Sequence, residues 1–325
     1  MNLPTPAPTR CILSVIVPAY NEEEVLPIFH ARLLAAMAVL PELVDRWEVI
    51  YINDGSKDAT LRILTSIQQH DAAVGIANLS RNFGKEAAMS AGLKLARGDA
   101  VILIDADLQD PPELIGEMVR VWQQGADVVN MRRSSREGET WFKKASAAWF
   151  YKVINWLSDV HIPENVGDFR LLSRRAVDAL NQLPESNRFM KGLFAWIGYK
   201  QVVVEYARHP RAAGQTKWPY FKLLNFAMEG ITGFSVIPLR LASYAGFLTA
   251  VSAFVYALFL LVKILLVGES VRGFPTLILT ILILGGLQLM AMGIIGEYLG
   301  RLFMESKHRP LYLLDDYKPP QAEPV

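Results

Sequence analysis

The sequence predicts an α/β domain on a mostly parallel sheet, followed by interfacial amphipathic helices and a two-helix transmembrane hairpin. Three observations predict it. Short β-branched runs alternate with helical patterns through the first 130 residues. Polar clusters follow directly on three of those runs. Near the carboxyl end, two stretches each continue for more than 20 residues with hardly a charge.

Taken in order, the run Cys11 to Val17 is too short for the apolar core of a signal peptide and leads straight into a polar motif. It therefore predicts a first strand, Ile12 to Val17. Further strands are expected at Trp47 to Ile52, Val74 to Leu79, Ala100 to Ile104 and Asp127 to Met131. Between them, Glu22 to Val39, Asp58 to Gln69, Lys85 to Ala96 and Pro111 to Gln124 carry apolar residues at helical spacing, with Pro111 and Pro112 suited to a first turn. In sheets of this kind ligands sit beyond the carboxyl ends of the strands. Tyr20-Asn21-Glu22, Asn53-Asp54-Gly55-Ser56 and Asp105-Ala106-Asp107 all fall there, so three strand ends converge on one crevice.

Ser243 to Leu266 and Phe274 to Ile295 are long enough to cross a hydrocarbon core of about 30 Å as helices. Lys263 lies near the end of the first span, where its ammonium can extend to the interface. Val267 to Pro275 is too short to hold a domain, so the spans form a hairpin. Arg240, Arg301, Lys307, Arg309 and Lys318 flank its open end against Arg272 alone in the loop, which by the positive-inside rule makes the large amino-terminal part cytoplasmic. The aromatic and cationic stretches Trp141 to Leu157 and Pro219 to Phe234 suit helices lying in the headgroup layer. The expected plan is a catalytic domain over 1–212, an interfacial helix over 213–236, a hairpin over 237–302 with spans at about 243–266 and 274–298, and a cytoplasmic tail over 303–325.

The single cysteine rules out an intrachain disulfide and a cysteine metal site, and the five histidines show no metal-ligand spacing. A net charge of +1 gives no electrostatic footprint for nucleic acid. A dinucleotide-dependent dehydrogenase is set aside, because no Gly-x-Gly-x-x-Gly follows the first strand.

Asp105-Ala106-Asp107-Leu108-Gln109-Asp110 is the sharpest chemical feature. A hard divalent cation takes several oxygen ligands, and two carboxylates one residue apart, with an amide two further on, offer them from one strand end. A cation there neutralises a departing diphosphate. Asp54 can accept a hydrogen bond from a base N–H, with Gly55 permitting the turn; the same residues also read as an ordinary turn with Ser56 as a helix cap.

Val17-Pro18-Ala19-Tyr20-Asn21-Glu22, Asn53-Asp54-Gly55-Ser56, Arg81-Asn82-Phe83-Gly84 and Asp105 to Pro111, in this order, resemble the family 2 inverting glycosyltransferases of GT-A fold. Within them the chain is most similar to the bactoprenol glucosyltransferases. That closer resemblance rests on Glu164-Asn165-Val166-Gly167-Asp168-Phe169-Arg170-Leu171, Phe189-Met190-Lys191-Gly192, Ala213-Gly214-Gln215-Thr216-Lys217 and Gly296-Glu297-Tyr298-Leu299-Gly300-Arg301.

The resemblance implies that Pro18, Tyr20, Glu22, Asp54, Arg81 and Asp105 bind the nucleotide-sugar donor, UDP-glucose. It implies further that Asp105, Asp107 and Gln109 hold Mg²⁺ or Mn²⁺, that Asp168, with Asp107 and Arg170, is catalytic, and that Arg211 and Lys217 hold the phosphate of the acceptor, a polyprenyl phosphate. The chain has Thr216 before Lys217 where many relatives have serine, which keeps the hydroxyl. It implies also a bacterial inner-membrane location and a homo-oligomer, a tetramer.

A lipid phosphate with a second pKa of roughly 6 is mostly ionised near neutrality, so Asp168 is open to three roles: a base, an orienting residue for Arg170 or the acceptor, or a structural partner of Arg170. The competing functions are a GDP-mannose or modified-arabinose transferase and a catalytically inactive nucleotide-binding scaffold. A processive polysaccharide synthase is disfavoured, because its Gln-x-x-Arg-Trp motif is absent.

Overall fold

The computed structural model describes residues 11–133, 166–185, 188–206, 237–267 and 273–321. The expected headgroup-layer helices, Arg211 and Lys217 lie outside the described residues.

The chain runs β1 (Cys11–Ala19), α1 (Leu26–Ala38), β2 (Val44–Asn53), α2 (Thr60–His70), β3 (Val74–Leu79), α3 (Lys85–Leu95), β4 (Ala100–Leu103), a 3₁₀ turn at Pro112–Leu114, α4 (Ile115–Gln123) and β5 (Val128–Arg133). The order β4-β1-β2-β3 is wholly parallel, as the βαβ alternation predicts. Every residue of β4 is buried, because helices cover both faces of this part of the sheet. On one face Phe29 and Leu33 of α1, Leu64 of α2 and Met118 and Trp122 of α4 pack on Leu13, Val15 and Tyr51. On the other, Ala88 and Leu93 of α3 pack on Ile16, Ile50 and Ile52. Contacts of this kind contribute about 25 cal/mol per Å² of apolar surface removed from water.

Three strands are additions to the predicted set. β6 (Val166–Ser173) is wedged between β4 and β5 and runs antiparallel to both. It is followed by α5 (Arg174–Gln182) and α6 (Met190–Trp196), which join the second face, and β7 (Gln201–Tyr206) pairs parallel with β5. The periodicity of 166–173 is masked because this strand is buried on both faces apart from Asp168.

Two long helices follow, α7 (Ile237–Val267, 31 residues) and α8 (Phe274–Ser306, 33 residues), packed against each other. Both are long and apolar enough to cross a membrane, with apolar windows at Leu239–Tyr256 and Ile283–Ser306 whose side chains face outward. α8 continues past the expected end of its span, and a Glu297–Arg301 ion pair at 2.8 Å, one turn apart, bridges the point where charge enters the helix.

Within the expected tail over 303–325, Leu314–Lys318 form a strand that the sequence reading did not include, β8, antiparallel to β3 at the edge of the sheet. Sequence pattern misses it because an edge strand carrying Asp315, Asp316 and Lys318 lacks the apolar face by which a strand is recognised. Its neighbours fasten it firmly: Asn78 Nδ2 donates to Asp315 Oδ2 at 3.0 Å and Gln68 Nε2 to the Lys318 carbonyl at 3.2 Å.

Candidate active site

The carboxyl ends of β1, β2 and β4 lie side by side, and the polar clusters follow them. After β2, Asn53 and Asp54 are buried, and Asp54 accepts the backbone N–H groups of Phe83 at 2.7 Å and Gly84 at 3.0 Å. Burial pushes its carboxyl up, and these bonds and the charge of Arg81 partly reverse that. Gly55 has φ +63°, and a Cβ there would stand 2.4 Å from the Arg81 carbonyl carbon, so only glycine lets the two loops touch. Ser56 is not a helix cap: α2 starts after Ala59 with no side-chain cap, and the Ser56 hydroxyl instead accepts the Asn21 N–H at 3.0 Å.

Pro18 lies within β1, paired with Ile52, and Tyr20 is exposed just beyond it. Glu22 donates its N–H to Thr60 Oγ1 at 2.9 Å and borders a cavity of about 430 Å³ with Asn21, Lys57 and Asp58. Arg81 lies on the loop held by Asp54, its guanidinium 4.0 Å from the centre of the Phe83 ring.

After β4, Asp105 and Asp107 are half-buried and flank Ala106 on one turn. Asp107 Oδ1 accepts the Gln109 N–H at 3.1 Å. Leu108 is held at φ 59° with its side chain buried, a left-handed conformation that costs a branched residue of order 1–3 kcal/mol. Gln109 is buried, and its Oε1 accepts no hydrogen bond among the described residues. Asp110, fully buried, accepts the Tyr206 hydroxyl, and Tyr206 meets Phe169 edge to face at 6.2 Å. The motif loop is thus fixed from β6 and β7.

No group of three or more His, Cys, Asp and Glu forms a metal cluster among the described residues. Two carboxylates and an amide with an orphaned oxygen fit a cation that takes its remaining oxygens from a diphosphate, as Mg²⁺ and Mn²⁺ do in such sites.

The antiparallel course of β6 completes the site. Its register ends with Leu103 paired to Arg170, so Asp105, two residues past that pair, and Asp168, two residues before it, come out at the same end of the ladder. Lys85, the first residue of α3, sits between them, with Nζ 2.6 Å from Asp105 Oδ2 and 2.5 Å from Asp168 Oδ2. Asp168 Oδ1 is buried and accepts no hydrogen bond among the described residues. Asp168 is therefore ion-paired to Lys85. Arg170 is buried, donates to the Gly167 carbonyl at 2.7 Å and lies 3.8 Å over the Phe194 ring.

Burial alone would lower the Lys85 pKa, and the two carboxylates more than reverse it, holding the ammonium above the ordinary lysine range. Asp168 is likewise raised by burial and brought below the usual carboxylate range by Lys85, with help from Lys191 and Arg170. Asp105 goes up, through burial and then the charges of Asp168 and Asp107 against that of Lys85. One ammonium cannot neutralise two carboxylates, and Asp168 has the additional cations.

Lys85, Glu86 and Lys191 are absent from the sequence-derived site. Lys85 could have been noticed: a cation in the first turn of a helix opposes the helix dipole, so it needs anions nearby. Glu86 accepts the Met190 N–H at 3.1 Å. Burial, followed by the charge of Asp168, raises its pKa from 4.5 to about 7.

A raised carboxyl favours the folded state when protonated, so its contribution is complete below 4.5 and is lost as pH climbs through about 7. Glu86→Gln is expected to flatten the fall in melting temperature over that interval. Thermal melts of the two proteins at several pH values check this, and parallel curves would remove Glu86 as the cause.

The sequence matches the family described as Glycosyl transferase family 2 over residues 14–180. It is 53% identical over 304 residues to the uncharacterized glycosyltransferase sll0501 of Synechocystis, covering 94% of this chain and 95% of that one. It is 47% identical over 306 residues to the bactoprenol glucosyl transferase of Shigella phage SfV, covering 94% and 99%. The prophage bactoprenol glucosyl transferase homolog of Escherichia coli K12 is 45% identical over 306 residues, with the same coverage. The motif order, the mostly parallel sheet with acidic strand ends, and similarity spanning nearly the whole of each protein make this chain a member of glycosyltransferase family 2, with a GT-A-type catalytic fold.

Proposed function

We propose that this glycosyltransferase transfers glucose from UDP-glucose to a polyprenyl phosphate with inversion, at the cytoplasmic face of a bacterial inner membrane. One observation carries the reading: Lys85 joins Asp105, on the donor side, to Asp168 on the strand bearing the Gly167 to Leu171 motif. Similarity to proteins named bactoprenol glucosyl transferases supports the choice of sugar and lipid, and two helices fit to cross a membrane support the location.

In this mechanism the loops after β1 and β2, with Tyr20, Glu22, Asp54 and Arg81, receive the nucleotide. Asp105, Asp107 and Gln109 would hold a divalent cation, whose charge stabilises the diphosphate as it leaves. A phosphate oxygen of the lipid attacks the anomeric carbon from the face opposite the diphosphate; the new C–O bond forms as the bond to UDP breaks. The attacking oxygen is already ionised, so no proton need be removed from it. Asp168, held ionised by Lys85, acts by position: with Lys85 it fixes where the acceptor phosphate stands relative to Asp105.

The test incubates the purified full-length protein with undecaprenyl phosphate, Mg²⁺ and, separately, UDP-glucose, UDP-galactose and GDP-mannose. Labelled lipid is expected from UDP-glucose. Product from GDP-mannose alone would overturn the glucosyl reading, and UDP binding without any transfer would favour a nucleotide-binding scaffold.

A further inference from the structure

The segment Gly296 to Arg301 plays no part in the chemistry above, yet the fold sets it against the catalytic domain. Beyond Ser306 the chain turns at His308, which has φ 49°, and enters Arg309-Pro310-Leu311. The Leu313 carbonyl then accepts the N–H of Ser80 at 3.0 Å, and β8 pairs along β3. The end of α8 is thereby tied to the sheet edge from which the Arg81 to Gly84 loop emerges. Between loop and helix lies a cavity of about 520 Å³, walled in part by Arg81, Phe83, Gly300, Arg301, Met304 and Arg309.

Donor capacity in this cavity is left partly unfilled. Arg301 gives Nε and Nη2 to Glu297 at 3.0 and 2.8 Å, and its Nη1 is buried with no acceptor among the described residues. Arg81 donates to the Asn82 carbonyl at 3.0 Å, and among the described residues Arg81 forms no ion pair and Arg309 neither a hydrogen bond nor an ion pair. Glu297 and Glu305 also border the cavity, and Glu297 is engaged by Arg301. Guanidinium groups gathered with unfilled donors call for an anion with several oxygens, and a phosphate matches their forked geometry.

The remaining wall is apolar. Phe83 and Met304 face it, and at Gly296 and Gly300, one turn apart, no other described residue comes within 4 Å of where a Cβ would stand, so a hydrocarbon chain can lie against the helix backbone. The cavity adjoins the end of the apolar stretch Ile283–Ser306. The same loop leads inward: Phe83 and Gly84 hold Asp54, and Lys85 holds Asp105 and Asp168.

We propose that this cavity is where the lipid acceptor docks on its way to Lys85 and Asp168, its phosphate first received by Arg309 and Arg301 and its first isoprenoid units lying along Gly300 and Met304. The assignment rests on the polyprenyl-phosphate reading above. It makes α8 the route from the bilayer to the reacting groups, and it makes the returning β8 the strap that holds this route in register with the site.

The test uses the full-length protein in nanodiscs, with undecaprenyl phosphate as probe and intrinsic tryptophan fluorescence as the binding readout. Arg309→Gln is expected to weaken binding of undecaprenyl phosphate, and to raise its KM, about tenfold or more, the loss expected for a hydrogen bond to a charged group, and Gly300→Leu to weaken binding by filling the space for the isoprenoid. UDP affinity by calorimetry and the melting temperature stay as in the wild type, and Arg309→Lys recovers part of the loss.

Unchanged binding in both variants would overturn the site. So would an equal loss for nanodiscs whose only anionic lipid is phosphatidylglycerol, or full competition by inorganic phosphate at the same concentration, since neither needs an isoprenoid. Because binding is read without transfer, undecaprenyl phosphate that binds and is lost in the variants, with no sugar moved, sustains the cavity while sinking the donor assignment.

Discussion

Lys85→Met is expected to lower sugar transfer by about 10²–10³, the scale on which removing one preorganised charged or hydrogen-bonding group acts on turnover. The ammonium lies 2.6 Å from Asp105 and 2.5 Å from Asp168, and nothing else in the described structure bonds both. Without it two carboxylates that now share one ammonium are left close together, and like charges at that range cannot both ionise freely, so one retains a proton.

This separates an electrostatic role from a merely structural one. In the wild type Asp168 stays ionised far below neutrality because Lys85 holds its pKa down. In Lys85→Met the residual rate should rise with pH over a range where the wild-type rate is flat. The side chain of Lys85 is 39% exposed, so losing this ion pair costs little stability and the melting temperature should hardly move. Lys85→Arg, which keeps the charge, should restore part of the rate. A methionine variant within threefold of wild type, with an unchanged pH profile, would remove Lys85 from the chemistry.

Asp107→Asn is the second large effect, a loss of at least about 10³ in transfer. The substitution isolates charge from shape. Asp107 Oδ1 accepts the Gln109 N–H at 3.1 Å, and an asparagine Oδ1 can accept the same bond, so the turn and the strained Leu108 beside it keep their conformation. What goes is one of two anionic oxygen donors. Mn²⁺ binding, followed by electron paramagnetic resonance in the presence of UDP, should fall in parallel with transfer while the melting temperature stays near that of the wild type. Retained turnover would count against these residues as the cation's ligands.

The two variants probe opposite sides of one arrangement. Asp105 belongs to both, through Lys85 on one side and the Asp107 turn on the other. Asp105→Asn is therefore harder to interpret than either: it disturbs the cation's ligands and the Lys85 bridge together.

Local pattern alone carried the α/β domain a long way. The four parallel strands and the helices between them were legible because each is a short element with its own period, one apolar face and polar residues at its ends. The acidic turn after β4 was legible for the same reason: Asp105, Asp107 and Gln109 are neighbours in sequence, so their chemistry can be recognised without knowing what surrounds them. The two long apolar helices were legible from length and composition.

Tertiary structure decided what depends on residues far apart in the chain. Lys85 and Asp168 are 83 positions apart, and only the reversal of β6 beside β4 brings Asp168 and Asp105 out at the same end of the ladder with the ammonium between them. Asp54 was expected to face a ligand, and the fold shows both its oxygens also clamping the Phe83 and Gly84 backbone. The strand β8, polar and on an edge, pairs with β3 across more than 230 residues, as the 237-residue separation of Asn78 and Asp315 records. An edge strand gains its hydrogen bonds from its neighbour and not from an apolar pattern of its own, so no periodicity announces it. The sequence by itself determined the groups that are neighbours in the chain, such as the Asp105 to Gln109 turn; the sheet order added Lys85 and decided which groups touch, because contact between distant residues is a property of strand direction and register.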